Sequence, residues 1–250
     1  MATLSHAEIK MIKSLSSKKF RDEFGLFAVE GEKMVAEALR SSFRVERVIS
    51  RDEVGETVMA RISSLATPPP VLALLHRPDD LFAERIPRPE KGLYLALDSI
   101  RDPGNLGTIL RIADWFGLRG VFASPDTVDV FNPKVVQSTM GAIFRVPFHY
   151  TDIPACCRAF RQAGGAAYGT FLDGKNLYGM PLACGQDSPV LLITGNESEG
   201  ISPAVAAEVT ERLTIPPFPA GGSGSESLNA AVATAVAVAE FRRRLLSDPL

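Results

Sequence analysis

The sequence predicts an α/β protein in two parts: a small layered α/β unit, then a larger parallel sheet covered by helices. Three observations carry this. Strand-like and helix-like segments alternate along the chain, as in folds whose parallel strands are joined by crossover helices. Two runs, residues 92–98 and 190–194, are almost continuously apolar, which marks strands buried on both faces. Between the two parts lies a polar stretch with Pro78, Pro87 and Pro89 and no periodicity, where few contacts should cross. The boundary falls near residues 85–92, giving a first domain of residues 1–90 and a second of residues 91–250.

The elements follow in order. Residues 5–17 read as a helix with Ile9, Ile12 and Leu15 or Ser16 on one face and lysines on the other. Residues 25–30 form a strand. Residues 32–39 are helical through Met34, Val35, Ala38 and Leu39, and Val45–Ser50 returns to strand character. After Pro68-Pro69-Pro70 comes another apolar run, residues 71–75. The second part opens with the strand at 92–98. A helix over 107–116 follows, with Leu106, Ile109, Leu110, Ile112 and Ala113 at i, i+3, i+4 spacing. Residues 120–123 are a strand, 133–140 a helix, 145–147 a short strand, 155–163 a helix and 166–171 a strand. The clearest buried strand is 190–194, 213–215 is a shorter one, and the last helix covers 228–245.

Composition narrows the function classes. With 250 residues, 46% of them hydrophobic, and a formal net charge of −2, the chain can bury real cores. No apolar run approaches the roughly 18 residues of a membrane span. The residues after Met1 lack the charged-then-apolar pattern of a signal peptide, so a cytoplasmic location is expected. Cys156, Cys157 and Cys184 form no C-x-x-C pair and are expected as buried free thiols. His6, His76 and His149 show no zinc-ligand spacing, and no catalytic metal is expected. Residues 1–21 hold Lys10, Lys13, Lys18, Lys19 and Arg21 against the single acid Glu8. Such a patch can meet phosphate, although charge alone favours a solvated helix face.

Three polar clusters stand at the ends of apolar strands. The first runs from Asp98 through Pro103-Gly104-Asn105-Leu106-Gly107 to Arg111. The second is Gly195-Asn196-Glu197-Ser198-Glu199-Gly200, and the third is Ser227-Leu228-Asn229 before a helix rich in small residues. Ligands of open α/β sheets bind outside the carboxyl ends of strands, which places all three at one functional edge. Neither G-x-G-x-x-G nor G-x-x-x-x-G-K-[ST] occurs, so dinucleotide and P-loop readings lose their main warrant.

Together the clusters resemble the SpoU (TrmH) family of RNA 2′-O-ribose methyltransferases. The matching motifs are Asn105-x-Gly107-x-x-x-Arg111, Gly195-Asn196-Glu197-x-x-Gly200, and Ile215-Pro216 through Ser227-Leu228-Asn229, across roughly residues 92–245. Residues 140–147 are similar to the family as well. Lys18-Lys19-Phe20-Arg21 through residues 27–33 resembles the ribosomal-protein-like substrate-binding domain that precedes the catalytic domain in many members. The resemblance implies a parallel-sheet catalytic domain with a deep C-terminal trefoil knot, a bound S-adenosylmethionine and a homodimer formed through that domain. It implies catalytic roles for Asn105, Arg111, Glu197, Ser227 and Asn229, and cofactor contacts at Thr170, Gly195, Ile215 and Leu228. It also turns the patch of Lys10, Lys13, Lys18, Lys19 and Arg21 toward RNA.

A ribose 2′-hydroxyl is a weak nucleophile, and positioning can supply much of its acceleration. The family gives the counterpart of Arg111 a role in activating that hydroxyl. An arginine that stays protonated cannot accept its proton. Arg111 is therefore expected to orient the nucleotide through phosphate and stabilise the developing alkoxide, with Glu197 and Asn229 fixing its geometry or passing the proton to water. One stretch departs from the family. Pro217-Phe218-Pro219 and Gly221-Gly222 lengthen the loop between Ile215 and Ser227, which bears on the contact of Ile215 and on Ser227 as a catalytic group. Ribosomal RNA is the expected substrate. Transfer RNA is the nearest rival, and a noncatalytic RNA-binding protein of the same fold is the other class.

Overall fold

The computed structural model describes residues 4–82, 88–218 and 226–247. Residues 83–87, within the expected boundary stretch, and residues 219–225, within the lengthened loop, lie outside the described residues. Along the first half of the chain run α1 (His6–Ser14), α2 (Lys18–Phe24), β1 (Leu26–Glu30), α3 (Glu32–Arg40), β2 (Val45–Ser50), α4 (Arg51–Val54), α5 (Glu56–Ile62), β3 (Val71–His76), β4 (Gly92–Leu97), α6 (Pro103–Trp115) and β5 (Val121–Ala123). Then come α7 (Pro133–Ser138), a 3-10 turn (Ala142–Phe144), β6 (Phe148–Tyr150), α8 (Ile153–Gln162), β7 (Ala166–Asn176), β8 (Pro189–Thr194), α9 (Pro203–Ala206), β9 (Glu211–Thr214) and α10 (Ala230–Ser247). They form two compact units. One comprises the chain up to Asp79 together with Asp129–Arg145, and the other Asp80–Val128 with everything from Val146.

In the first unit β3 is central to an antiparallel sheet of order β1-β3-β2. Phe27 lies opposite Leu75, and Val48 opposite Ala73. Ile9, Ile12 and Leu15 pack with Ile49, Met59, Ile62 and Leu72 on one side of it. The expected helix over 5–17 ends early, at Ser14, and a second helix, α2, follows from Lys18. Ser5 starts α1 with a capping box, its hydroxyl accepting from the Glu8 N–H while the Glu8 carboxylate accepts from the Ser5 N–H. The chain breaks after Ser14 because the buried Arg21 guanidinium takes the carbonyls of Leu15 and Ser16 at 2.7 and 2.9 Å. The same side chain pairs with Asp129 at 2.7 Å. Phe131 packs on Phe27 with ring centroids 4.4 Å apart, and Phe43 bridges Phe131 and Phe144. Residues 129–145, which follow β5 in the chain, thereby join the N-terminal elements.

The second unit is built on a six-stranded parallel sheet of order β6-β5-β4-β8-β7-β9. Every residue of β8 is buried, in keeping with its unbroken apolar run. Phe122, Phe160, Leu191 and Ile193 form a core with Cys156 and Cys157, whose thiols are free. Burial pushes the Cys157 thiol up to about 12 and Cys156 higher still. Cys184 is half-buried and forms no disulfide among the described residues. The strand expected at 145–147 starts later, at Phe148. Pro147 has no N–H to give to a ladder, and only its carbonyl is used, accepting from Val121 at 2.9 Å. Among the described residues no helix is long and apolar enough to cross a membrane.

Candidate active site at the carboxyl edge of the parallel sheet

The site begins where β4 and β8 lie side by side. Leu97 is opposite Thr194, and the Asp98 N–H donates to the Thr194 carbonyl at 2.9 Å. From this junction the sheet continues through β5 and β6 on one side and through β7 and β9 on the other. The loops after β4 and β8 therefore open at a topological switch point, where open α/β sheets hold ligands.

The loop after β4 is closed by a helix start. Asp102 is the N-cap of α6, its carboxylate accepting from the Asn105 N–H at 2.8 Å, and Pro103 occupies the first helical position. Asn105, expected ahead of the helix, thus sits inside its first turn and is buried. Its side-chain amide donates to Glu197 Oε1 at 2.8 Å, and its Oδ1 accepts from Asn229 Nδ2 at 2.9 Å. Asn229 in turn caps α10, its Oδ1 accepting from the N–H groups of Ala231 and Val232. Three residues from three motifs form one hydrogen-bonded chain, Asn229 to Asn105 to Glu197. Glu197 is exposed, and its second carboxylate oxygen has no partner among the described residues.

Arg111 is placed differently from the expectation. Glu197 and Asn229 hold Asn105, not Arg111. Six residues along a helix turn the side chain about 240° and carry it ~9 Å along the axis, so Arg111 leaves α6 from a different face than Asn105. Arg111 lies on the exposed face of α6 with Thr108 and Trp115, and makes no hydrogen bond or ion pair among the described residues. Ser227 is exposed and likewise has no hydrogen bond among them.

The remaining expected positions line the neighbouring strand ends. Thr170, on β7, donates its hydroxyl to the Ile193 carbonyl of β8 at 3.0 Å. Gly195 is where the loop after β8 closes tightly. A Cβ there would stand 2.2 Å from the Gly200 carbonyl carbon, and Asn196 and Gly200 exchange backbone hydrogen bonds at 2.9 and 3.0 Å. Ile215 is half-buried just after β9, and Leu228 is half-exposed just before α10.

Sequence reasoning placed the clusters that hold Ser99, Asp102 and Asn196 at this edge, but gave no individual role to Ser99 or Asp102. The Asp-Pro pair was the signal for the cap. Nothing local marks Ser99, which adopts a left-handed φ of 61°.

The basic residues belong to the first unit. Lys10, Lys13, Lys18 and Lys19 are exposed. Lys18 pairs with Asp22 at 2.6 Å, and the Lys19 ammonium lies 5.6 Å from the Phe20 ring centroid. Arg21 does not join them as a surface group. It is 2% exposed, and its guanidinium is spent on Asp129 and two carbonyls, so it cannot offer charge to a phosphate without leaving Asp129 buried and unpaired.

The chain is similar to known proteins over nearly its whole length. Residues 92–239 match the SpoU rRNA Methylase family, and residues 6–56 match the MRM3-like substrate binding domain. The chain is 31% identical to the 23S rRNA (guanosine(2553)-2′-O)-methyltransferase RlmP of Bacillus subtilis, over 94% of this chain and 96% of that one. It is 32% identical to the 23S rRNA (uridine(2479)-2′-O)-methyltransferase of Streptomyces viridochromogenes, over 86% and 75%. Among solved structures, the AdoMet-bound rRNA methyltransferase from Sinorhizobium meliloti superposes with a TM-score of 0.85 at 31% identity, covering 98% of both chains.

Proposed function

Because the chain belongs to the SpoU rRNA methylase family, we propose that it transfers a methyl group from S-adenosylmethionine to a ribose 2′-hydroxyl of ribosomal RNA. The observation that carries this reading is the chain from Asn229 through Asn105 to Glu197, which joins all three motifs at the switch point.

The residues at the neighbouring strand ends fit the methyl donor. Thr170 on β7 and Gly195 after β8 offer polar and backbone groups, and Ile215 and Leu228 add two accessible apolar side chains. An adenine and a thioether suit a site of this kind. Thr170, Gly195, Ile215 and Leu228 would hold the donor, which when bound supplies an electrophilic methyl on a sulfonium.

The chain's own task is to place and activate the hydroxyl. Asn105 occupies one Glu197 oxygen and so fixes the carboxylate, leaving the other oxygen to accept a hydrogen bond from the ribose and relay its proton to water. Asn229 locks the Asn105 amide by taking its oxygen, so the NH₂ group must face Glu197. Arg111, permanently charged and unpaired among the described residues, is suited to a phosphate and to a developing alkoxide. Ser227, exposed at the same edge, is assigned a substrate contact. Lys10, Lys13, Lys18 and Lys19 are the RNA-facing charges of the substrate-binding domain, assigned to residues 1–90, ahead of a catalytic domain assigned to residues 91–250.

Two larger features belong to the same reading. A trefoil knot is supported by the path of α10. After the edge strand β9 the chain returns to pack α10 on α6 and β8, where Thr234 meets Thr194 at 2.9 Å and Arg242 donates to the carbonyls of Phe116 and Gly117. A homodimer through the catalytic domain is supported by the outer faces of these helices. Trp115 is 87% exposed on α6, and Val232, Ala235, Val236 and Ala239 form a part-exposed apolar stripe on α10. The bacterial relatives that match most of the chain support a cytoplasmic location.

The test is incubation of the purified protein with methyl-labelled S-adenosylmethionine and deproteinised ribosomal RNA from cells lacking it, followed by nucleoside analysis. Label in a 2′-O-methyl nucleoside is expected. Label on a base, or none, would overturn the reading, and preferential labelling of added transfer RNA would move the substrate.

A further inference from the structure

The backbone at Ser99 is the feature of the functional edge that the family motifs leave unexplained. A residue with a Cβ in the left-handed region is held there by its surroundings, and such outliers collect at functional sites. Three bonds hold this one, all from the loop after β5 or reaching it. The Ser99 N–H donates to Ser124 Oγ at 2.8 Å. The Ser99 hydroxyl donates to Asp126 Oδ2 at 2.5 Å, and the Ser124 hydroxyl donates to Asp126 Oδ1 at 2.6 Å. Asp126 therefore grips both serines with its two oxygens. Although partial burial pushes the Asp126 carboxyl up, these hydrogen bonds outweigh it and hold the group below the usual carboxylate range.

The consequence of this grip lies on the other side of Ser99. The Ser99 carbonyl accepts from Asn196 Nδ2 at 2.8 Å. Asn196 Oδ1 accepts from the N–H groups of Ser198 and Glu199 at 2.9 and 3.0 Å. Glu197 lies inside that small turn, and its carboxylate meets Asn105.

From this continuous path we infer that Asp126 is a positioning residue for the methyl transfer, which sets Glu197 by clamping Ser99 in the left-handed conformation that presents its carbonyl to Asn196. Asp126 touches neither substrate nor donor. It acts through Ser99 and Asn196. The inference rests on the proposed reaction for its kinetic consequence, while its structural consequence can be read without any turnover.

The experiment compares Asp126→Ala with the double variant Ser99→Gly/Asp126→Ala. In the single variant Ser99 loses its hydroxyl anchor and relaxes toward ordinary φ, and Asn196 loses its acceptor. The expected result is about a tenfold fall in kcat for methyl transfer to ribosomal RNA, with KM for that RNA within twofold of the wild type. Amide hydrogen exchange across residues 196–200 should accelerate in parallel. Glycine takes a positive φ without a clamp, so the double variant is expected to recover most of the lost kcat and the lost protection. Rescue of an aspartate loss by a glycine elsewhere is not what a general loss of stability would give. Wild-type kcat and wild-type exchange in Asp126→Ala would overturn the inference, as would a double variant no better than the single one. If the wild type itself transfers no methyl group to RNA, the reaction reading fails and the exchange comparison alone decides whether Asp126 positions the loop.

Discussion

At the residue scale, the site turns on a division of labour between two residues of one helix. Asn105 is buried and bonded at both ends of its amide, an internal strut between Glu197 and Asn229, whereas Arg111 is exposed and unbonded among the described residues. Replacing Asn105 with Asp would set two carboxylates against each other and remove a donor. A fall of about 100-fold in kcat with unchanged S-adenosylmethionine affinity is expected from single-turnover kinetics, the scale seen when one preorganised donor is lost. Arg111→Lys keeps the charge but loses the planar fork. It should reduce turnover by about tenfold or more, and unchanged turnover with unchanged RNA affinity would remove the phosphate-orienting role. Motif spacing made both residues visible in the sequence. It could not say that they face apart, because their separation of six residues becomes a direction only once the helix start at Asp102 is fixed.

At the element scale, two buried or part-buried ion pairs hold helices whose charges look alike in the sequence. Arg21 reads as one member of a basic run, yet it closes the α1–α2 corner onto Asp129. That pairing spans more than a hundred residues, so no local pattern could reveal it, and the same holds for Phe131 against Phe27. Asp129→Ala should strand a buried guanidinium and destabilise the first unit by about 3–5 kcal/mol, measured as lost hydrogen-exchange protection in β1 and β3. In α10 the Glu240 carboxylate accepts from Arg243 and Arg244, and Arg244 also reaches the carbonyls of Leu177 and Met180. The Arg243 hydrogen bonds first of all, joined by the Arg244 hydrogen bonds and both positive charges, overcome the opposing effect of burial and hold the Glu240 carboxyl down at about 2. A depressed carboxyl contributes stability that is complete above its unfolded value near 4.5 and lost as pH falls through about 2. Thermal melts from pH 5 to pH 2 should therefore fall less steeply for Glu240→Gln than for the wild type, starting from a lower value at pH 5.

At the scale of the whole molecule, the parallel sheet was legible because short, continuous apolar runs such as 190–194, bounded by turn formers, read as strands covered on both faces. The order of those strands was not legible. Strand β8 inserts beside β4 rather than next to β7's outer edge, and this places Gly195 and Glu197 against Asn105. The proposed knot and homodimer are likewise properties of path and assembly, which periodicity does not encode. Trp115, the single tryptophan of the chain, provides the assay for assembly. Trp115→Arg should shift sedimentation toward the monomer, and dilution of the wild type should red-shift its fluorescence as the indole returns to water. The reaction itself is tested most directly by mapping 2′-O-methylated nucleotides in ribosomal RNA from cells lacking the protein, then adding back purified wild type and Asn105→Asp with S-adenosylmethionine. The expected result is a mark that is absent without the protein, restored by the wild type and not by the variant. A complete set of marks in the deficient cells, or equal restoration by both proteins, would contradict the account.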